Sequence, residues 1–190
     1  MPVQCITSFR NPHVKYLRSL RMRKYRERES RFLIEGIRIV EEALDRGAPL
    51  ETLVYAPDLL VSDRAQALVE QVAPDRRVAL AADVFGSLSD RDRPQGIAAV
   101  VQIEDRPLVS LPLDEAMLTL VAYQLRDPGN LGAIIRTADA AGVTGLVVVE
   151  PAVDLYDPQA VRATMGSLFA LPIVRVADES ALLAWYAEAR

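Results

Sequence analysis

Apolar and polar positions along the chain fall into alternating short runs and helical stripes. Apolar residues recur every three or four positions in residues 11–29, which begin with the helix-start pair Asn11-Pro12 and place Val14, Leu17 and Leu20 on one side. Residues 32–36 then read as a strand. A helix over 37–46 follows, with Ile37, Val40, Ala43 and Leu44 on its apolar side and Gly47 to stop it. The pattern continues with a strand over 51–56 broken by Pro57 and Asp58, a helix over 62–72, and a short strand over 78–81. Asp83 is placed to cap a brief helix through Leu88, and a polar turn over 89–96 leads into an apolar strand over 97–103. Such an order predicts an α/β sandwich of about 100 residues. Residues 104–112 carry two prolines and mixed charge without periodicity, and read as a linker.

From residue 113 the pattern changes to that of a parallel sheet. Residues 118–123 and 145–149 are nearly unbroken apolar runs, expected to be buried on both faces. Between them Leu131, Ile134, Ile135, Ala138 and Ala141 fall on one helical face. Asn130 is placed to cap the first turn and Gly142 to end the last. Asp157-Pro158 opens a further helix through residue 166, a third strand spans 170–176, and Asp178 caps a last helix. Three such apolar strands with three helices leave a parallel sheet short of neighbours. The second domain is therefore expected to be incomplete: a fragment of a longer protein by preference, a sheet completed by a partner, or a truncated relic.

Composition narrows the chemistry. The chain has 190 residues, 51% hydrophobic and 25% charged, enough for one large or two small cores. No apolar run is long enough to span a membrane and the first residues lack a signal-peptide block, so the expected compartment is the cytoplasm. One cysteine, Cys5, and one histidine, His13, exclude an internal disulfide and argue against a thiolate or histidine metal site; no metal is expected. The net charge of −4 hides an asymmetry: residues 1–40 hold ten Lys or Arg against three Glu. Arg21, Arg23, Lys24, Arg26, Arg28 and Arg31 crowd around Tyr25, offering cations for phosphates and a ring for a base. The competing reading is a solvated helix whose Arg and Glu residues pair locally.

The turn 127–132, DPGNLG, lies between strand and helix, where open α/β sheets bind ligands. It matches neither a dinucleotide fingerprint nor a phosphate loop, which leaves a Rossmann-type nucleotide enzyme little support. Arg136 stands out on a helix otherwise made of small and apolar residues plus Asp139. Residues 130–138, NLGAIIRTA, with Gly142 following, resemble the first signature motif of the SpoU (TrmH-type) RNA ribose 2′-O-methyltransferases, and 161–169, VRATMGSLF, with Leu171-Pro172, is similar to a later segment of the same family. The first hundred residues, Pro94-Gln95-Gly96 included, look like the small RNA-binding domain often fused in front.

The resemblance implies an α/β chain of two parts: an RNA-binding domain with a basic arm over 1–103, and over 113–190 the first part of a knotted, parallel-sheet SPOUT methyltransferase domain. It implies S-adenosylmethionine as methyl donor, rRNA or tRNA as substrate, and a homodimer when complete. It assigns Arg136 to the 2′-hydroxyl or the adjacent phosphate and Asn130 to the same pocket. Arg162 is a further candidate for RNA contact. Two family motifs, with Gly-Asn-Glu and Ser-Leu-Asn cores, do not occur before Arg190, so the donor-binding residues are expected mostly beyond it. The reading from another class is a non-catalytic RNA-binding module.

Overall fold

The computed structural model describes residues 4–111 and 116–188. The chain divides into two units, Met1–Ile103 and Glu104–Arg190. In unit 1, helices α1 (Pro12–Ser19) and α2 (Arg23–Glu29) precede strand β1 (Arg31–Glu35), helix α3 (Ile37–Asp45) and strand β2 (Leu50–Tyr55). Helix α4 (Asp63–Gln71), strand β3 (Arg77–Ala79), helix α5 (Ala82–Gly86) and strand β4 (Ile97–Gln102) complete it. The sheet order is β1-β4-β2-β3, antiparallel except for the β2–β3 pair. Val14, Leu17 and Leu20 of the α1 segment join Val84, Phe85 and Leu88 over Val54, Ala98 and Val100 on one face. The opposite face is covered by α3, which packs on β1, β4 and α4. Its core residues are Ile39, Val40 and Ala43; Ile39 replaces the expected Ile37 and Leu44, which are only half-buried.

The expected continuous helix over 11–29 is instead two helices. Asn11 caps α1 by accepting from the His13 amide at 2.8 Å, but after Leu20 the backbone turns and Met22 is extended. The carbonyls freed at that break accept from the Arg26 guanidinium, Leu20 at 2.9 Å and Arg21 at 2.7 Å. Orphaned carbonyls of a helix end are thereby satisfied by a side chain from the next helix.

Unit 2 holds strands β5 (Thr119–Tyr123), β6 (Gly145–Val149) and β7 (Ile173–Val176), all parallel in the order β5-β6-β7. Helices α6 (Pro128–Ala140) and α7 (Pro158–Ala163) cover one face, where Leu131, Ile135 and Ala138 pack with Ala122, Leu146, Val148, Leu155 and Leu171. On the other face Trp185 and Leu182 of α8 (Glu179–Glu188) meet Val147, Val149, Val174 and Val176. The alternation of Val147 and Val149 against Leu146 and Val148 is the period-2 pleat of a strand buried on both sides.

Two expectations change here. The stretch 104–111 is less free than a linker: Leu108 and Leu111 pack into the core beside α8, and Leu111 fills the space where a Cβ on Gly145 would stand. Pro112 and the expected domain start at Leu113 lie outside the described residues. Strand β5, expected to be buried on both faces, is instead an exposed edge, with Val121 at 44% and Tyr123 at 53% exposure. No strand pairs with its outer side among the described residues, so Leu120, Val121 and Tyr123 stay exposed while Ala122 alone of the run is buried under α6. An apolar groove of about 440 Å³ opens there between Leu118, Val121, Leu183 and Tyr186.

Candidate active site and nucleic-acid interface

Helix α6 carries the residues singled out for chemistry. Its cap is Asp127, not Asn130: the Asp127 carboxylate accepts from the Asn130 amide at 2.7 Å, with Pro128 in the first helical position. Asn130 sits inside the first turn, exposed, and its side chain is engaged with no other described residue. Arg136 lies six residues further on, about 9 Å along the axis at 1.5 Å per residue. It is exposed and makes no hydrogen bond or ion pair with a described side chain or carbonyl. Side chains on a helix incline toward its N-terminus, which directs the Arg136 stem toward the end that holds Asn130.

The tight approach of α7 to α6 explains the glycine between them. A Cβ on Gly132 would collide with the Ala160 carbonyl and stand 2.5 Å from the Ala163 Cβ. Helix α7 begins as α6 does, with Asp157 accepting from the Gln159 amide at 2.8 Å and Pro158 following. It ends at Ala163 rather than at residue 166. Thr164 is buried and its hydroxyl donates to the Val161 carbonyl at 2.7 Å, after which Met165 and Gly166 take positive φ. Arg162 is exposed on this short helix. Of the remaining carboxylates of unit 2, Glu150 accepts from Arg175 at 2.6 Å and from the Ala152 amide at 2.6 Å, a structural role.

At the carboxyl ends of β5 and β6 lies a cavity of about 370 Å³ lined by Gln124, Leu125, Arg126, Pro151, Ala152 and Val153. The loops that form it are joined by the Val153 amide donating to the Leu125 carbonyl at 2.7 Å. Ligands of parallel sheets bind at this edge. Neither Gln124 nor Arg126 was reached from the sequence; the available signal was a lone arginine directly ahead of the Asp127-Pro128 helix start. Its lining side chains include a guanidinium and an amide but no carboxylate.

The basic arm of unit 1 separates into three kinds of residue. Arg26 is 2% exposed and holds the α1–α2 break, a correction to its expected place among the RNA contacts. A guanidinium held against backbone carbonyls has no access to a phosphate. Arg31 is half-buried in β1, paired with Glu51 of β2 and donating to the Glu29 carbonyl at 2.5 Å; the Glu51 bond raises its pKa further. The exposed cations are Arg21, Arg23, Lys24 and Arg28. Three of them pair locally: Arg21 with Asp90, Arg23 with Glu27 at 2.7 Å, and Arg28 with Glu29 at 2.7 Å. Arg28 also lies over the Tyr25 ring at 4.7 Å. Exposed pairs of this kind contribute under ~1 kcal/mol each, so a phosphate competes with the carboxylate at little cost. Among the described residues, no cluster of His, Cys, Asp or Glu is suited to a metal, and no helix is long and apolar enough to cross a membrane.

Comparison with known proteins falls on the same two units. The MRM3-like substrate binding domain model matches residues 11–99, and the model of the SpoU rRNA Methylase family matches residues 117–190. The chain belongs to the SpoU methylase family. A 23S rRNA (uridine(2479)-2′-O)-methyltransferase of Streptomyces viridochromogenes is 37% identical over 164 residues, covering 86% of this chain and 57% of the relative. The 23S rRNA (guanosine(2553)-2′-O)-methyltransferase RlmP of Bacillus subtilis is 33% identical over 170 residues, covering 90% of this chain and 64% of its own length. This SpoU chain thus spans about three fifths of both. Among solved structures, the AdoMet-bound rRNA methyltransferase from Sinorhizobium meliloti superposes with a TM-score of 0.84 at 35% identity, covering 98% of this chain and 69% of that one. The SpoU methyltransferase AviRb from Streptomyces viridochromogenes, in complex with the cofactor AdoMet, gives 0.85 at 35% identity, covering 93% and 67%. The fold is that of SpoU methyltransferases.

Proposed function

We propose that the protein is an RNA ribose 2′-O-methyltransferase acting on ribosomal RNA with S-adenosylmethionine as donor, unit 1 binding the RNA and unit 2 positioning the ribose. The observation that carries this reading is Arg136. An exposed, unengaged guanidinium on the helix of the family motif lies on the same helix as an equally unengaged Asn130. The donor supplies an electrophilic methyl group on sulfur. What these residues contribute is orientation and charge. Guanidinium titrates above ~12, so Arg136 is a poor base. It holds the phosphate beside the target ribose and stabilises negative charge growing on the 2′-oxygen as its proton leaves. Asn130 hydrogen-bonds within the same pocket. The exposed cations of α2, with Arg162 on α7, supply RNA affinity without sequence selectivity.

The open edge of β5 supports a second reading, in which the 190 residues bind RNA but do not turn over. Incubating the protein with 23S rRNA and methyl-labelled S-adenosylmethionine, then digesting to nucleosides, separates the two. A single labelled 2′-O-methylnucleoside is expected from the enzyme. RNA retention without label would replace it by the binding module. The cytoplasm, as the place of rRNA, and a homodimer belong to the same proposal; sedimentation measures the latter.

A further inference from the structure

Methylation of a ribose leaves the base untouched, so selectivity for one nucleotide must come from groups that the methyl-transfer chemistry does not use. Resting on the methyltransferase reading, we propose that the cavity at the carboxyl ends of β5 and β6 receives the base of the target nucleotide, and that Gln124 and Arg126 select guanine or uracil over adenine and cytosine. The volume of about 370 Å³ is sized for a base with part of its sugar. The cavity adjoins the helix of the ribose site: Arg126 immediately precedes the cap Asp127, and Asn130 lies in the first turn that follows. Pro151, Ala152 and Val153 offer an apolar wall for the face of the base, the arrangement by which proteins hold an unstacked nucleobase.

The polar side chains fix the chemical class. Arg126 is exposed and engaged with no described residue, and a guanidinium can only donate. Gln124 is held in the left-handed region at φ 51°, and its amide nitrogen donates to the Tyr123 hydroxyl at 3.1 Å. That bond leaves the amide oxygen to accept. A donor beside an acceptor matches the adjacent C=O and N–H of guanine and uracil. With the sugar held toward α6, which fixes the direction in which the base edge is presented, adenine and cytosine offer the reverse, an amino donor beside a ring-nitrogen acceptor, so the Gln124 oxygen would face another acceptor. A left-handed non-glycine residue beside a cavity is the kind of local strain found where a side chain must be aimed.

Nucleosides test this without the contribution of a phosphate. In ¹H–¹⁵N spectra of the chain, uridine and inosine are expected to shift the amides of Gln124, Arg126 and Val153 saturably, at least about five-fold more tightly than cytidine and adenosine. Arg126→Ala, an exposed substitution that leaves the fold intact, should erase that preference. Equal response to all four nucleosides, shifts elsewhere, or a preference that survives Arg126→Ala would overturn the proposal. Methyl incorporation into rRNA, measured in parallel, keeps the two readings apart. A flat nucleoside response with methylation intact removes the base pocket alone, whereas selective binding without methylation removes the enzyme reading and keeps the pocket.

Discussion

Two backbone carbonyls at the break between α1 and α2 depend on Arg26, which is why that residue belongs to the architecture of unit 1 rather than to its proposed RNA-facing surface. Removing the guanidinium strands both acceptors in a buried place, at a cost of about 1–3 kcal/mol. Arg26→Ala is accordingly expected to lower the melting temperature of unit 1, while Lys24→Ala leaves melting unchanged and weakens RNA binding. A stable Arg26→Ala protein with reduced RNA affinity would return Arg26 to the interface. Tyr156 makes a comparable point about burial in unit 2. Its phenol is pushed up to about 12 by burial and by the negative charge of Asp105. The unfolded chain begins to ionise this group near pH 10 and the folded chain only near 12, so the stability it confers is complete below pH 10 and lost between 10 and 12. On the order of 2 kcal/mol is at stake. Chemical denaturation across that range should show the fall, and Tyr156→Phe should flatten it; an unchanged slope would remove Tyr156 as the cause. His13 acts at the other end, since burial lowers its pKa and unit 1 therefore loses stability as pH falls below the usual 6.5.

At the level of elements, Asn11-Pro12, Asp127-Pro128 and Asp157-Pro158 all start helices by the same device, a side-chain cap followed by proline. Two of the three are read from the sequence; in the third, the apolar stripe that begins at Leu131 points to Asn130 as the cap, whereas the cap is Asp127, three residues earlier. The break after Leu20 was hidden for another reason. The apolar spacing continues through Leu20 without a glycine or proline, and the residue that stabilises the break is an arginine on the next helix, one of several alike in the same run. Likewise β5 and β6 carry equally apolar sequences, yet among the described residues only β6 of the two has neighbours on both sides, and a strand's place in a sheet is not written in its own residues. Pairing along the arm was left open by the sequence, and the geometry gives both halves: Glu27, Glu29 and Asp90 hold the cations, weakly enough to exchange. With Arg21, Arg23, Lys24 and Arg28 as the footprint, the log–log dependence of RNA affinity on salt should have a slope near about −3 on single-stranded RNA. Glu27→Gln, which removes the carboxylate charge that Arg23 pairs with, should tighten binding a few-fold. A salt-independent affinity, or no gain from Glu27→Gln, would place the RNA on another surface.

For the whole molecule, the division of labour matters more than any one contact. The change from a mixed sheet with helices on both faces to a parallel sheet was legible as a change from isolated strands bounded by turns to apolar runs joined through a capped helix. The candidate ribose site was legible because Arg136 is out of place on a helix of small residues. The cavity beyond β5 and β6 was not, because its walls come from two loops brought together only by the parallel pairing of their strands. In the account given, unit 1 confers affinity and α6 confers chemistry, so the two should separate on mutation. The most direct measurement is turnover and RNA dissociation constant for Arg136→Ala. Turnover is predicted to fall by at least about 100-fold, the scale of losing one group that stabilises developing charge, while RNA affinity stays within a few-fold. Undiminished turnover, or a loss explained wholly by weaker RNA binding, would contradict the assignment of α6 as the catalytic element.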